Sequence, residues 1–289
     1  MGTICSSIFN KSYVHFRFTD KIVTHPQLGE LMVVQDDITG NLLHGIKVDT
    51  DTLVIKDQAL LERHQLLTQG NVLRFEGFKK LTNNEYVALF ESYECTLEEE
   101  IQRRKAKNKP FTEQEILGIL QNVTAALTYF QNKDIYHGQV TSENILKKGD
   151  EYKLLDLVLF EKHASTYQLV RENPDESKVR LLSPELKDAL ANQEASPNFK
   201  KYKQDIYSLG IIVLDAMILE VNDSISNSDK FKQATRFYSE FLIEVVTKMV
   251  QESELLRIEA ATCNKIVENM YYGFTVTENS EQVYSEIDF

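Results

Sequence analysis

The stretch that decides the fold is IYHGQVTSENIL at residues 135–146, followed by a KKGDE turn and by YKLLDLV at residues 152–158. It predicts two short apolar strands around a Gly-Asp turn. A polar loop opens the first strand, and a lone acid, Asp156, closes the second. Asn144 and Asp156 are therefore expected at neighbouring strand ends, where their oxygen atoms could hold a divalent metal ion. The alternative is that both side chains only hydrogen-bond to the loop backbone.

Three motifs, in this order along the chain, resemble the catalytic core of the eukaryotic protein kinases. HGQVTSEN at residues 137–144 is similar to the H-R-D-L-x-x-x-N catalytic loop. Asp156-Leu157-Val158 is similar to D-F-G, and Ser183-Pro184-Glu185 is similar to A-P-E.

The resemblance implies an α+β, bilobal protein-kinase-like fold over residues 18–272. A small β-rich N-lobe is expected at residues 18–92, and a larger, mainly helical C-lobe at residues 93–272. Residues 1–17 are expected to form an acylation segment, and residues 273–289 an acidic tail that extends past the domain.

Composition limits the function classes. The chain has 289 residues, of which 42% are hydrophobic, and its net charge is -12. An acidic chain of this kind argues against a nucleic-acid binder, which usually presents a basic face. Cys5, Cys95 and Cys263 are far apart in the sequence and form neither a disulfide framework nor a zinc motif, which favours a reducing, cytoplasmic setting. No apolar run is long enough to span a bilayer.

The N-terminal hexapeptide MGTICS fits the N-myristoylation pattern, with Gly2 as the acceptor. One myristoyl chain gives only marginal membrane binding, so a second signal is needed, and palmitoylation of Cys5 would supply it. The pattern therefore predicts a cytoplasmic protein held at the periphery of a membrane. The alternative is that glycine stands at position 2 by chance.

On the nucleotide side, the resemblance assigns the segment HGIK to the family's V-A-I-K motif, which makes Lys47 the partner of the α- and β-phosphates. The three positions of the glycine-rich loop fall on Thr24, Pro26 and Gly29, and only Gly29 keeps the glycine. Because Pro26 has no amide hydrogen, we expect this loop to hold phosphate poorly.

The resemblance also outlines an adenine site. Phe90 takes the gatekeeper position, the backbone of Glu91 to Tyr93 faces adenine, and Leu146 lies beside the nucleotide. A buried strand would show the same pattern without a nucleotide, so ATP with Mg²⁺ is left open as a cofactor pair.

A helix is expected over residues 52–69, and in the family it carries a glutamate that pairs with the strand lysine. The family position falls near Leu60, while the nearest acid is Glu62. Two residues correspond to a rotation of about 200° around a helix. Either the preceding loop is shorter than usual or the ion pair is missing.

The catalytic loop departs from the family pattern at three positions. Gln139 stands where the family has its catalytic Asp, Gly138 replaces the preceding Arg, and Thr141 replaces a Lys. An amide side chain has no useful basicity. Asn144 and Asp156, the metal ligands that the resemblance implies, are both present.

The features that the resemblance assigns to the scaffold are present. Asp205 opens an apolar helix over residues 206–219 and is expected to hold the backbone of the catalytic loop. Arg257 is expected to pair with Glu185 of the A-P-E-like motif.

Together these observations predict a pseudokinase that serves as a binding, scaffold or regulatory module for protein partners. The alternative is a divergent Ser/Thr protein kinase that transfers the γ-phosphate of ATP to protein hydroxyls with weak activity.

Overall fold

The computed structural model of the chain describes residues 16–49, 70–82, 85–156, 164–221 and 225–271. Several predictions fall outside these ranges. They concern the acylation sites Gly2 and Cys5, the helix over residues 52–69 with Glu62, the pair Leu157-Val158, and the acidic tail.

A five-stranded antiparallel sheet forms the first lobe, in the order β1-β2-β3-β5-β4. The strands are β1 (Phe16–His25), β2 (Gly29–Asp36), β3 (Leu42–Asp49), β4 (Phe75–Lys80) and β5 (Glu85–Glu91). A turn of three residues joins β1 to β2 and closes with Gly29 opposite His25 in the register. Gly29 has φ +76°, a backbone conformation that glycine adopts without steric cost.

A second, three-stranded sheet lies below the first and carries the candidate site. Its strands are β6 (Cys95–Thr96), β7 (Ile145–Lys148) and β8 (Glu151–Leu154). Two backbone hydrogen bonds connect β8 to the first lobe, from the amide of Leu73 to the carbonyl of Leu154 (2.9 Å) and from the amide of Leu154 to the carbonyl of Asn71 (2.8 Å). The strands predicted on both sides of the Gly-Asp turn are therefore present.

Helices make up most of the second lobe. They are α1 (Leu97–Ala106), α2 (Glu113–Asn132), α3 (Thr166–Glu172), α4 (Glu176–Val179), α5 (Pro184–Ala191), α6 (Lys201–Ile218), α7 (Asn227–Ala234), α8 (Glu240–Met249) and α9 (260–271). Thr96 and Thr112 cap α1 and α2 with reciprocal capping boxes, which satisfy backbone amides that have no partner inside the helix.

Helix α6 forms the centre of this lobe, because every residue from 203 to 217 is buried. A helix that is buried on all sides must be surrounded by others, and α2, α7 and α8 pack against it. The helix ends at Leu219, which adopts a left-handed conformation with φ 57°. None of the described helices is long and apolar enough to cross a membrane. The small β-rich lobe and the mainly helical lobe confirm the predicted α+β bilobal fold.

Candidate active site

The catalytic loop is held from two sides. The buried ring of His137 accepts the amide of Gln139 at Nδ1 (3.3 Å), which leaves Nε2 to donate to the carbonyl of Leu155 (3.0 Å). The amide of Gly138 donates to Oδ1 of Asp205 (2.9 Å). Burial raises the pKa of Asp205 to about 8, although the amides of Gly138 and His137 act to lower it. The prediction that Asp205 holds the loop backbone is confirmed.

Gly138 is required by the shape of this loop. Its φ of +75° is a conformation that other residues rarely adopt. A Cβ atom at this position would also lie 2.9 Å from the ring of Tyr136, which is closer than real Cβ contacts come. An arginine, the family residue here, would therefore strain both the backbone and the packing.

Gln139 uses its side chain as a structural link. Its Nε2 donates a hydrogen bond to the carbonyl of Ala164, 25 residues further along the chain. Its own carbonyl accepts a hydrogen bond from Nδ2 of Asn144 (3.0 Å). A carboxylate at this position could not donate to Ala164, so the amide serves a contact that the family's aspartate could not make.

Asn144 and Asp156 lie together, as predicted, at neighbouring strand ends. The amide of Leu155 donates to the carbonyl of Asn144 (2.9 Å), and both polar side chains are buried. The Oδ1 atom of Asn144 is buried without a hydrogen-bond partner, although a buried polar atom normally has one. An amide oxygen beside a carboxylate is a ligand pair suited to a hard cation such as Mg²⁺. The residues therefore fit a divalent metal ion, and their role as its ligands stays a prediction.

Lys47 lies on the wrong face of the sheet for the role that the resemblance implied. In the register of β3 and β5, Lys47 is opposite Val87, and Ile46 is opposite Ala88. Residues directly opposite in an antiparallel pair point to the same side, and successive residues alternate. Val87 belongs to the outer cluster of the sheet, with Val34, Leu43 and Leu89. Lys47 is thus exposed on the outer face.

The cleft face of β3 carries different residues. Ala88 and Ile46 pack in the cluster that includes Leu146 and Leu155 of the second lobe, so this face looks into the cleft. His44 is opposite Phe90, a member of the same cluster. The prediction that Lys47 contacts the phosphates is therefore wrong. Successive residues of a strand face opposite sides, so a motif placed one residue out along β3 assigns the wrong side chain to the cleft.

The turn between β1 and β2 has little capacity for phosphate. Pro26 has no amide hydrogen, and the amides of Gln27 and Leu28 both donate to Nδ1 of His25 (3.2 Å each). Gly29, the one glycine kept from the family loop, pairs with His25 at the strand ends. Backbone amides that already have a partner do not form an anion site, which agrees with the expected weak phosphate contact.

Glu91 is an internal ion-pair centre. Its buried carboxylate accepts from Nζ of Lys148 (2.7 Å), Nζ of Lys153 (2.9 Å) and the amide of Arg74 (2.9 Å). Burial alone would raise the pKa of Glu91, but these three donors outweigh it and lower the pKa. Its amide donates to the carbonyl of Arg74 (3.0 Å) and is therefore not available to a ligand. That the backbone of Glu91 to Tyr93 faces adenine stays a prediction.

The space around the remaining predicted adenine contacts is filled by the protein. Leu146 is fully buried, and the ring of Tyr93 is only 7% exposed. Both belong to one apolar cluster with Phe90 and Leu28. The residues present therefore do not fit an adenine nucleotide, in contrast to the metal pair.

Sequence reasoning missed the place of His25, Gln27 and His44 in the cleft, and with it the contacts that the first two make with Glu143. Nε2 of His25 hydrogen-bonds to the carbonyl of Glu143 (3.1 Å), and Nε2 of Gln27 donates to its carboxylate (2.8 Å). These contacts join positions 118 and 116 residues apart, and no local pattern reports such a pairing. A histidine inside the apolar strand β3 is the one signal that could have indicated an altered cleft.

Comparison with known proteins agrees with the fold. Residues 46–272 match the family model for the protein kinase domain. The chain belongs to the protein kinase family. Among curated proteins it is 32% identical over 130 residues to a serine/threonine-protein kinase KSP1 of Saccharomyces cerevisiae, and 28% identical over 95 residues to the cyclin-dependent kinase F-3 of Oryza sativa subsp. japonica. These matches span 44% and 33% of this chain but only 12% and 21% of those proteins. Protein kinases typically use ATP and Mg²⁺.

Proposed function

We propose that this member of the protein kinase family is a pseudokinase that acts through binding to protein partners. The observation that carries the proposal is the environment of Gln139. This residue replaces the catalytic aspartate, and its side-chain amide donates a hydrogen bond to the carbonyl of Ala164. A serine, threonine or tyrosine hydroxyl that enters the cleft meets no base at this position.

The other parts of the reaction support the same conclusion. Phosphoryl transfer depends on positioned phosphates, a metal ion and a group that orients the acceptor hydroxyl. Lys47 is on the outer face of the sheet, and the amides of Gln27 and Leu28 are taken by His25. The pair Asn144 and Asp156 is the part that remains suited to its task. Since the parts act as a unit, the loss of several removes more than the sum of single losses.

The test is a transfer assay with the purified chain, radiolabelled ATP and magnesium, on itself and on a generic protein substrate. Wild type and Gln139→Asp are both expected to stay at background. A restored aspartate returns a base, but it loses the hydrogen bond to Ala164 and leaves the phosphate contacts absent. Magnesium-dependent transfer by wild type that disappears in Asp156→Ala would contradict the proposal.

The second candidate is a weak Ser/Thr protein kinase, and the paired oxygens of Asn144 and Asp156 favour it. This candidate predicts that the wild type transfers phosphate, and that Asp156→Ala and Asn144→Ala each abolish the transfer. Gln139→Glu is the matched control, because it keeps the length of the side chain and changes only the amide to an acid.

We also propose that the chain is held at a membrane through acylation of Gly2 and Cys5. The hexapeptide pattern supports this, and two acyl chains together give stable anchoring where one does not. In cells, Gly2→Ala should release the protein into the soluble fraction, and Cys5→Ser should weaken its retention. Absence of any acyl mass on the N-terminal peptide of the wild-type protein would refute the anchor.

A further inference from the structure

The ring of Tyr93 lies under the first sheet, between the ends of β1 and β3. Its plane is nearly perpendicular to the ring of His44, with centroids 4.6 Å apart. It also meets the ring of His25 edge-on, at 6.3 Å. Tyr93 comes two residues after β5, and its ring contacts the histidines of β1 and β3.

Apolar side chains enclose this ring from both lobes. Leu28 and Leu31 of the first lobe and Leu146 and Leu155 of the second lobe belong to the same buried cluster. Leu146 has no exposed surface and packs in this cluster with side chains of the first lobe. The family's adenine contacts, Phe90 and Leu146, thus surround an aromatic side chain of the chain itself.

The enclosed groups are neutral at physiological pH. Burial lowers the pKa of His44 to about 4, and burial raises the pKa of Tyr93 above its usual range. Nδ1 of His44 and the hydroxyl of Tyr93 are buried and have no hydrogen-bond partner. Because both groups are neutral, the site avoids the much larger cost of burying a charge, although each unpaired polar atom still carries a desolvation penalty.

The turn between β1 and β2 closes the front of the cleft. Nδ1 of His25 accepts two amides of the turn, so Nε2 carries the proton and donates to the carbonyl of Glu143 (3.1 Å). Gln27 adds a second bond, to the carboxylate of Glu143 (2.8 Å). The turn that would cover phosphates in the family is here fastened directly to the catalytic loop. We call the contacts of His25 and Gln27 with Glu143 the cleft clasp.

We infer that the ring of Tyr93 occupies the adenine position, and that together with the cleft clasp it keeps the two lobes closed without any nucleotide. The protein then has the closed arrangement of lobes permanently, and ATP does not regulate it. This inference is independent of the missing base at Gln139, since a chain that lacks transfer activity can still bind ATP.

The experiment compares the melting temperatures of wild type, Tyr93→Ala and Tyr238→Ala, each with adenosine and with ATP plus magnesium. Tyr238 is the matched control, because it is a tyrosine of the helical core that is also 7% exposed. Both substitutions should destabilise the fold. Only Tyr93→Ala should respond to adenosine, which at a hundred times its Kd raises the melting temperature by roughly 5–10 °C in a chain of this size.

Two outcomes would overturn the inference. One is a wild type that adenosine or ATP stabilises as much as it stabilises Tyr93→Ala. The other is a folded Tyr93→Ala that responds no more than Tyr238→Ala does. Transfer activity is read in a separate assay, so ATP binding without transfer refutes the filled cleft and leaves the pseudokinase proposal intact.

Hydrogen exchange of the wild-type protein keeps the inference testable if Tyr93→Ala does not fold. The amides of Gln27 and Leu28 should exchange slowly, and ATP with magnesium should leave their rates unchanged. Slower exchange of this turn on addition of ATP would show that a nucleotide enters the cleft, and the inference would be wrong. Gln27→Ala, which removes only one bond of the cleft clasp, should speed the exchange of the amides of residues 27–29.

Discussion

The anchors of the helical lobe and the cleft face of the first sheet differ in how they relate to the family pattern. In the helical lobe, Arg257 pairs with Glu185 through two hydrogen bonds of 2.7 and 3.0 Å, and Asp205 holds Gly138. In the cleft, Lys47 points outward and the ring of Tyr93 fills the interior. The contacts that support the fold are thus present, while those that would hold a nucleotide are replaced. This difference teaches that the contacts of the scaffold do not depend on the residues that line the cleft.

The largest effect is expected for the helical anchor. The guanidinium of Arg257 is completely buried and is the partner of Glu185. Arg257→Ala removes one partner of a buried pair, which typically costs about 3–5 kcal/mol of unfolding free energy. Urea denaturation measures this cost. Lys248→Ala is the control, because its pair with Glu244 is about half exposed and should cost at most about 1 kcal/mol. If the two variants lost the same unfolding free energy, the ion pair of Arg257 would not be an anchor of the fold.

The ion-pair centre at Glu91 should come next. Glu91→Gln leaves Lys153 buried without its counter-charge, and hydrogen bonds to charged groups contribute about 1.5–3 kcal/mol. Because the folded protein lowers the pKa of Glu91, its contribution is present above the ordinary carboxyl pKa of about 4.3 and is lost as pH falls below it. The difference in unfolding free energy between wild type and Glu91→Gln should therefore shrink in acid. A difference that stays constant from neutral pH to pH 3 would contradict this account.

Asp205 should show the opposite pH dependence. Its pKa is about 8 in the folded protein and close to 3.9 in an unfolded chain. The folded state therefore keeps a proton that the unfolded state has released, and the unfolding free energy falls as pH rises between these two values. Asp205→Asn keeps an oxygen acceptor for Gly138 and does not titrate, so it should flatten the curve by up to about 1.4 kcal/mol per pH unit. Denaturation from pH 4 to 8 measures the slope, and identical slopes for the two proteins would refute the assignment.

The smallest effects distinguish the two faces of β3. Ile46→Ala removes a side chain that packs in the cleft cluster and should cost about 1–3 kcal/mol of unfolding free energy. Lys47→Ala, one residue along, changes an exposed side chain and should alter it by less than about 0.5 kcal/mol. Chemical denaturation of both variants gives the comparison. A larger cost for Lys47→Ala than for Ile46→Ala would mean that the two faces are interchanged.

Local patterns in the sequence predicted much of the fold. The apolar helix over residues 206–219 depends on neighbours within a few positions, and it is present within Lys201–Ile218. The two scaffold contacts, of Asp205 and of Arg257, followed from the family motifs because these motifs include the partner positions. The neighbouring strand ends of Asn144 and Asp156 followed from a short hairpin.

The sequence by itself determined the order of the elements and the fold class. It also determined that position 139 carries an amide, which cannot act as a general base. The tertiary structure decided the state of the cleft. The face on which Lys47 lies depends on pairing of β3 with β5, about 40 residues away, and a strand pattern with a partly polar face leaves that register open. The cleft clasp and the place of the Tyr93 ring depend on contacts between the two lobes. Such contacts join residues far apart in the sequence and therefore leave no periodic signal in it.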